Sequence, residues 1–312
     1  MDYSRSKTTY INIFGMQDKK VLIIGSNGYI GSSLFQYLSR HCIVTGIDIG
    51  WFDSPGPGHQ CRDYRTLCHQ DLEEFNTVVL LAGHSSVKMC NGPLEHSWRN
   101  NVCNWLELES KLRPDQLLVY ASSGSVYGQG ARADLTSFVP VNFYDLTKHV
   151  IDTHAARLLD RGRKLIGLRF GTVNGDSPLM RNDLMINKMV HDAQKYGTIT
   201  VSNPAVIRPI LCMQDLNRAI KSCICLERSG IFNLASFEMS VGEIAMGVAA
   251  RCNVLTDRVA DQASVYDFNM PIDEFCHAYN FKFCHGLYSC IDELLNAPQR
   301  KGGTRDQFVP YQ

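Results

Sequence analysis

Four apolar residues in a row, Val21-Leu22-Ile23-Ile24, end abruptly at Gly25. An unbroken run of this length suits a parallel strand buried on both faces. Downstream, Ile30, Leu34, Phe35 and Leu38 recur at helical spacing, which predicts a helix over Tyr29–Leu38. A second strand is expected at Cys42–Ile49, and further apolar runs lie at Val78–Leu81, Leu117–Tyr120 and Leu165–Leu168. Helical stretches such as Trp98–Lys111 and Leu146–Leu159 separate them. Strands alternating with helices predict an α/β fold, a doubly wound parallel sheet with helices on both faces. After Gly171 the alternation loosens. A helix around Leu184–Tyr196 and the segment Thr198–Pro209 read as parts of a smaller lobe, residues 215–226 as a helix returning to the sheet, and Ile231–Leu234 as a last strand. Residues 50–61, rich in Gly and Pro, read as a loop.

Composition narrows the partners. Lys+Arg and Asp+Glu balance at 31 each over 312 residues, and no basic stripe or acidic tail occurs. Nucleic acid and anionic membrane surfaces are therefore not the expected partners. The N-terminal stretch is polar, without an apolar signal segment, and no apolar run reaches the length of a membrane span. The 12 cysteines include no C-x-x-C pair, so reduced thiols in a cytoplasmic setting are expected. Cys276-His277, Cys284-His285 and Cys290 invite a metal reading. Their spacing fits no finger or ribbon, and Tyr279, Phe281 and Phe283 among them read as packing residues, so no metal is expected.

The chemistry begins at the first strand. Gly25-Ser26-Asn27-Gly28-Tyr29-Ile30-Gly31 is G-x-x-G-x-x-G placed between a strand and a helix. Glycine permits the tight turn, lets a pyrophosphate approach the backbone, and lets the helix pack closely on the strand. The helix N-terminus then offers free N–H groups to phosphates. Asp48, at the end of the second strand, is placed to accept bonds from the adenosine ribose hydroxyls and to repel a 2′-phosphate, which favours NAD. Asp71-Leu72, just before the third apolar run, is a candidate for positioning the adenine, and the same Asp71 also reads as a helix cap.

Tyr144-Asp145-Leu146-Thr147-Lys148 puts a phenol and an ammonium at i and i+4, on one helical face. A free phenol titrates at about pH 10, too high for a base at neutrality, and a nearby ammonium favours the phenolate. Upstream, Ser122-Ser123-Gly124-Ser125-Val126-Tyr127-Gly128 follows the fourth apolar run, at the strand end where doubly wound sheets bind ligands. A serine hydroxyl there can bond the oxygen being oxidised and share its proton with the tyrosine.

With these motifs in order, the chain resembles the extended short-chain dehydrogenase/reductase family, in its NAD-dependent nucleotide-sugar epimerase and dehydratase branch, and is similar to UDP-glucose 4-epimerase-like enzymes. The resemblance spans about residues 19–295 and adds Leu80-Leu81-Ala82-Gly83, Asn101-Val102, Leu168-Arg169-Phe170-Gly171-Thr172-Val173 and Ile207-Arg208-Pro209. It implies Ser123, Tyr144 and Lys148 as the catalytic set. Around the cofactor it implies Gly25, Asn27, Gly28, Tyr29, Ile30, Gly31, Asp48, Asp71, Leu72, Leu81, Ala82, Gly83, Asn101 and Phe170, with Tyr144 and Lys148. For the substrate it implies Ser85, Ser123, Gly124, Ser125, Thr172, Arg181, Asn187 and Arg208, the last as a pyrophosphate ligand. Arg169 reads as structural, pairing within the sheet. Residues 19–171 plus 211–236 would form the Rossmann domain, and 172–210 plus 237–296 the substrate lobe. Residues 1–18 would be an extension and 297–312 a tail. The family also suggests a homodimer through two long helices.

Departures from the family pattern bear on the reaction. Dehydratases and decarboxylases of the family carry an acid just after the catalytic Ser/Thr, and this chain has Gly124 and Ser125 there. Thr172 replaces a common Asn, and Ser85 stands where some galactose epimerases have a lysine. The resemblance therefore implies a nucleotide-sugar 4-epimerase working through a 4-keto intermediate. The same trio would serve a 4-dehydrogenase or 4-ketoreductase, a 4,6-dehydratase is disfavoured, and a non-catalytic NAD-binding regulator would have no use for an intact trio.

Overall fold

The computed structural model describes residues 16–51, 58–128, 138–262 and 266–298. Most of the 1–18 extension and the 297–312 tail lie outside the described residues, as do positions 52–57 of the glycine-rich loop. Strand β1 (Lys20–Ile24) leads into helix α1 (Tyr29–Leu38), followed by β2 (Ile43–Asp48) and β3 (His59–Cys61). Next come α2 (His69–Leu72), β4 (Thr77–Leu80), the short helices α3 (Val87–Cys90) and α4 (Leu94–Trp98), then α5 (Asn104–Lys111), β5 (Leu117–Ser123), α6 (Phe143–Leu159) and β6 (Leu165–Phe170). The second half runs β7 (Thr172–Asn174), α7 (Met185–Tyr196), β8 (Thr198–Val201), β9 (Ile207–Cys212), α8 (Met213–Leu226), β10 (Gly230–Leu234), β11 (Phe237–Ser240), α9 (Val241–Cys252), β12 (Leu255–Arg258), α10 (Asp273–Tyr279) and α11 (Leu287–Asn296).

Seven strands form one parallel sheet in the order β10-β6-β5-β4-β1-β2-β3. The order turns back between β1 and β4, and that switch point opens a crevice at the strand C-termini. The β1 run is continuous because each face has its own core. Val21 and Ile23 pack with α1 and α8 residues such as Leu34, Leu216 and Ile220. Leu22 and Ile24 pack on the other face with Trp105, Leu108 and Ile151. Successive side chains of a strand point to opposite faces, so burial on both requires an apolar residue at every position. Each buried aliphatic side chain contributes about 1.5–3 kcal/mol. A third core joins α7, α9 and α11 over β9, where Ile186, Ile244 and Ile291 are fully buried.

Some elements differ from the sequence reading. The third strand, His59–Cys61, lies inside the expected loop; it pairs parallel with Gly46–Asp48 at the sheet edge, and its polar residues carry no apolar signal. Strand β5 outlasts its apolar run because Ala121-Ser122-Ser123 keep pairing with Leu168-Arg169-Phe170. The helix expected over Trp98–Lys111 contains a π turn at Arg99–Cys103 between α4 and α5. Arg169 pairs with Asp152 of α6 at 2.7 Å, not with a sheet neighbour.

Candidate active site

A cavity of about 470 Å³ sits at the switch point. The glycine turn forms one wall, through Gly25, Gly28, Tyr29, Ile30 and Gly31. Gly25 adopts φ +86°, and a Cβ there would lie 2.6 Å from the Ala82 nitrogen. A Cβ on Gly31 would lie 2.0 Å from the Gly25 carbonyl oxygen, so helix and turn meet at a distance only glycine allows. Asp48 accepts from the Asn27 N–H at 3.0 Å and from the Gly50 N–H at 2.8 Å, which aims its carboxylate into the cavity mouth. Leu81, Ala82, Gly83, Ser85 and Arg181 complete the expected lining.

Other expected contacts lie elsewhere. Leu72 is fully buried in the sheet core, and Asp71 caps α2 through the Cys68 N–H (2.8 Å) while holding Arg62 in a bidentate pair at 2.9 Å. Neither lines the cavity. That wall is built by Arg62, Asp63, Tyr64 and Arg65, the residues following the edge strand β3. Asn101 spends its amide internally, accepting from His84 N–H (2.8 Å) and donating to the His84 carbonyl (3.1 Å) and Thr147 hydroxyl (3.0 Å). Its neighbours Asn100 and Asn104 face the cavity instead. The π turn widens the helix there and rotates which residues meet the crevice. Among the described residues, Nδ2 of Asn100 and of Asn104 is buried without a hydrogen-bond partner. Orphaned donors of this kind are costly unless a ligand takes them. A glycine cradle, a ribose-height carboxylate and two orphaned amides fit a dinucleotide.

The catalytic set gathers beside this cavity. Ser123 caps the turn after β5, accepting from the Ser125 N–H at 3.2 Å, and its hydroxyl meets that of Ser125 at 2.8 Å. Tyr144, in the first turn of α6, lies near enough to Ser123 for the serine to draw its phenol pKa down. Lys148 is buried, donates to the Ala121 carbonyl at 2.9 Å and stands 5.9 Å from the centre of the Tyr144 ring. Burial pushes the Tyr144 phenol up to about 12, partly offset by Ser123, and pushes the Lys148 ammonium down to about 8. The phenol lowering expected from the lysine is thus outweighed by loss of solvent. None of Ser123, Tyr144 and Lys148 lines the cavity; Arg181, in its wall, draws the phenol down by its charge.

The smaller lobe approaches from the other side. Asn187 is buried, accepting from the Gly175 N–H and donating to the Tyr29 hydroxyl and the Arg181 carbonyl, each at 3.0 Å. Its amide therefore links lobe and glycine turn, and has no donor left for a sugar. Tyr29 in turn donates to the Gly175 carbonyl at 2.8 Å. Arg181 pairs with Asp183 at 2.5 Å and reaches the Ser85 hydroxyl at 3.4 Å. Arg208 bonds the Thr172 hydroxyl at 3.3 Å and stacks over the Tyr266 ring at 5.8 Å. Its Nε is buried without a partner among the described residues. Gly124 is buried; a Cβ there would lie 2.5 Å from the Met270 sulfur. Phe170 closes β6 with 9 % exposure, in the core rather than the cavity wall.

Of the cysteine–histidine segment, only Cys284 and His285 approach a third donor among the described residues, Asp215, with atoms within 4.8 Å of one another. Arg218 already occupies that cluster, 2.6 Å from Asp215 and 2.7 Å from the Cys284 sulfur. All 12 cysteines are free thiols. No helix among the described residues is long and apolar enough to cross a membrane.

The fold and the cavity at its switch point are those of a dinucleotide-dependent enzyme. Residues 21–235 match the NAD dependent epimerase/dehydratase family, and the chain belongs to it. NAD is its cofactor. ADP-L-glycero-D-manno-heptose-6-epimerase of Pseudomonas aeruginosa is 26 % identical, over 92 % of this chain and 94 % of that protein. MoeE5, solved with UDP-glucuronic acid and NAD, superposes with TM-score 0.78 at 22 % identity, covering 88 % of this chain and 97 % of that one. UDP-glucose-4-epimerase from Stenotrophomonas maltophila, solved with NAD and formylated UDP-arabinopyranose, gives TM-score 0.77 at 20 % identity, covering 88 % and 96 %.

Proposed function

We propose that this chain is a nucleotide-sugar 4-epimerase that works through a transient 4-keto sugar. The observation that carries the reading is the Ser123–Tyr144–Lys148 cluster beside the cavity, with no acid at positions 124 and 125. A Cβ at 124 would press on the Met270 sulfur at 2.5 Å, so a side chain there would require Met270 to move. In this reading Ser123 orients the C4 hydroxyl, Tyr144 takes its proton, and Lys148 supports the phenolate and the nicotinamide ribose. NAD, when bound, accepts and returns the hydride. The glycine turn, Asp48, Asn100 and Asn104 hold the dinucleotide, and Arg208, with its unused Nε–H, suits a pyrophosphate oxygen.

A second reading rests on the heptose 6-epimerase relative: the same trio would then oxidise an exocyclic carbinol. Incubation with a panel of UDP-, GDP-, CDP-, dTDP- and ADP-sugars, ADP-heptose included, followed by NMR of the products, separates the two by the carbon inverted. Net loss of hydride to a second acceptor without inversion would instead identify a dehydrogenase. Tyr144→Phe is expected to lower kcat at least ~10²-fold, the usual worth of a positioned general base. Unchanged turnover in that variant would sink the assignment. The homodimer belongs to this reading: Leu94, Trp98 and Leu146 are exposed apolar residues on α4 and α6.

A further inference from the structure

Edge strand β3 has no apolar pattern to hold it, yet it leads directly into the Arg62–Arg65 wall of the cavity. A polar contact fastens it. His59, its first residue, pairs with Gly46 of β2, and the His59 Nδ1 stands 2.8 Å from the Ser26 hydroxyl oxygen. Ser26 is the second residue of the glycine turn, fully buried and outside the cavity lining. Its hydroxyl therefore meets the sheet edge behind the turn.

Glycine at 46 makes that contact possible. A Cβ there would lie 2.6 Å from the Ser26 oxygen and 2.7 Å from the His59 nitrogen. The imidazole thus reaches Ser26 through the space a β2 side chain would fill. Its ring also packs on Phe35 of α1, with centroids 4.0 Å apart and planes inclined by 32°. Gly58, at φ +86°, passes the same phenyl ring so closely that a Cβ would lie 2.9 Å from it. One imidazole joins the glycine turn, the first helix and the edge strand.

We propose that His59 is a positioning residue for NAD, bracing the glycine turn from behind and fixing the Arg62–Arg65 wall relative to it. The Gly25 and Ser26 N–H groups donate to the Ile47 carbonyl at 2.9 and 3.2 Å, and the Asn27 N–H to the Asp48 carboxylate at 3.0 Å. All three bonds end on β2; the Ser26 hydroxyl adds β3. Just past that strand, the Arg62 N–H donates to the Asp48 carbonyl at 3.0 Å, and the wall begins. A dinucleotide spans both parts, since its pyrophosphate lies on the turn and its adenosine ribose beside Asp48. Either form of the ring serves: Ser26 donates to a bare Nδ1, or an Nδ1–H donates to the Ser26 oxygen. NAD is braced in this way whichever carbon of the sugar reacts, so failure of the 4-epimerase reading would leave the brace standing.

Calorimetric titration of NAD into the full chain and its variants tests the brace. His59→Phe keeps a ring against Phe35 and removes the bonding nitrogen, and Ser26→Ala removes only the partner oxygen. Each should raise the Kd for NAD about tenfold, the worth of one buried hydrogen bond. The double variant should bind no more weakly than either single one, because both remove the same bond. His59→Asn puts an amide where Nδ1 stood and should recover most of the affinity. ADP, which carries only the adenosine and pyrophosphate part, should lose affinity by the same factor as NAD. Should His59→Phe fail to fold, Ser26→Ala and His59→Asn still decide. A Ser26→Ala protein that binds NAD within about twofold of the parent overturns the proposal. Losses that add in the double variant overturn it too, as does His59→Asn binding no better than Ser26→Ala.

Discussion

Helix α6 buries two aspartates seven residues apart, and they have been given opposite surroundings. Asp152 sits against the Arg169 guanidinium at 2.7 Å and also accepts from the Tyr120 and Ser122 hydroxyls at 2.9 and 3.0 Å. Arg169 in turn lies over the Phe138 ring at 4.7 Å and donates to the Tyr127 hydroxyl at 2.9 Å. Asp145 has the Tyr266 hydroxyl, the Asn142 amide and the Val141 N–H, and no cation among its partners in the described residues. A paired buried charge is held in one state and ties elements together. One held only by neutral donors can change state, which is what proton chemistry needs.

Breaking the paired site should cost most. Asp152→Ala leaves the Arg169 charge buried without its partner, and urea unfolding is expected to show a loss of about 3–5 kcal/mol. Replacing both partners, as Asp152→Leu with Arg169→Met, should recover a large part of that loss. If the double variant is as unstable as the single one, packing rather than the orphaned charge is responsible. Asp145→Asn, by contrast, replaces one accepting oxygen by a donating amide nitrogen among groups that themselves donate, and should cost about 1–3 kcal/mol.

The size of that change depends on pH. The folded carboxyl of Asp145 has a raised pKa, so the native state binds its proton more tightly than the unfolded chain. The parent's advantage from this group is full at low pH and is lost as pH rises from the unfolded carboxylate value through the raised folded one. Asp145→Asn has no such loss, so its urea midpoint should gain on the parent's across that window and run parallel above it. A difference that does not vary with pH would show that the carboxyl titrates alike in both states.

The parallel sheet and the glycine turn were readable from order along the chain, because each strand, turn and helix is a local pattern. The contacts read less well were those in which a side chain chooses among neighbours. Asn101 and Asn187 are buried amides whose bonding is satisfied inside the protein, and the orphaned donors belong to Asn100 and Asn104. Helical period alone does not say which asparagine meets the crevice where a π turn interrupts the helix. The Arg62–Arg65 wall depends on three edge-strand residues with no apolar pattern, although two arginines and an aspartate a short way beyond Asp48 were a visible hint.

Sequence alone determined that strands alternate with helices, that a tight glycine turn joins the first strand to the first helix, and that a phenol and an ammonium share a helical face, since backbone sterics and helical period act over a few residues. Tertiary structure decided where protons and charges rest. Tyr266 stands 121 residues from Asp145, and Met270 fills the space beside Gly124. Burial, which sets the state of Tyr144, Lys148 and Asp145, is a property of the folded lobes and not of any segment.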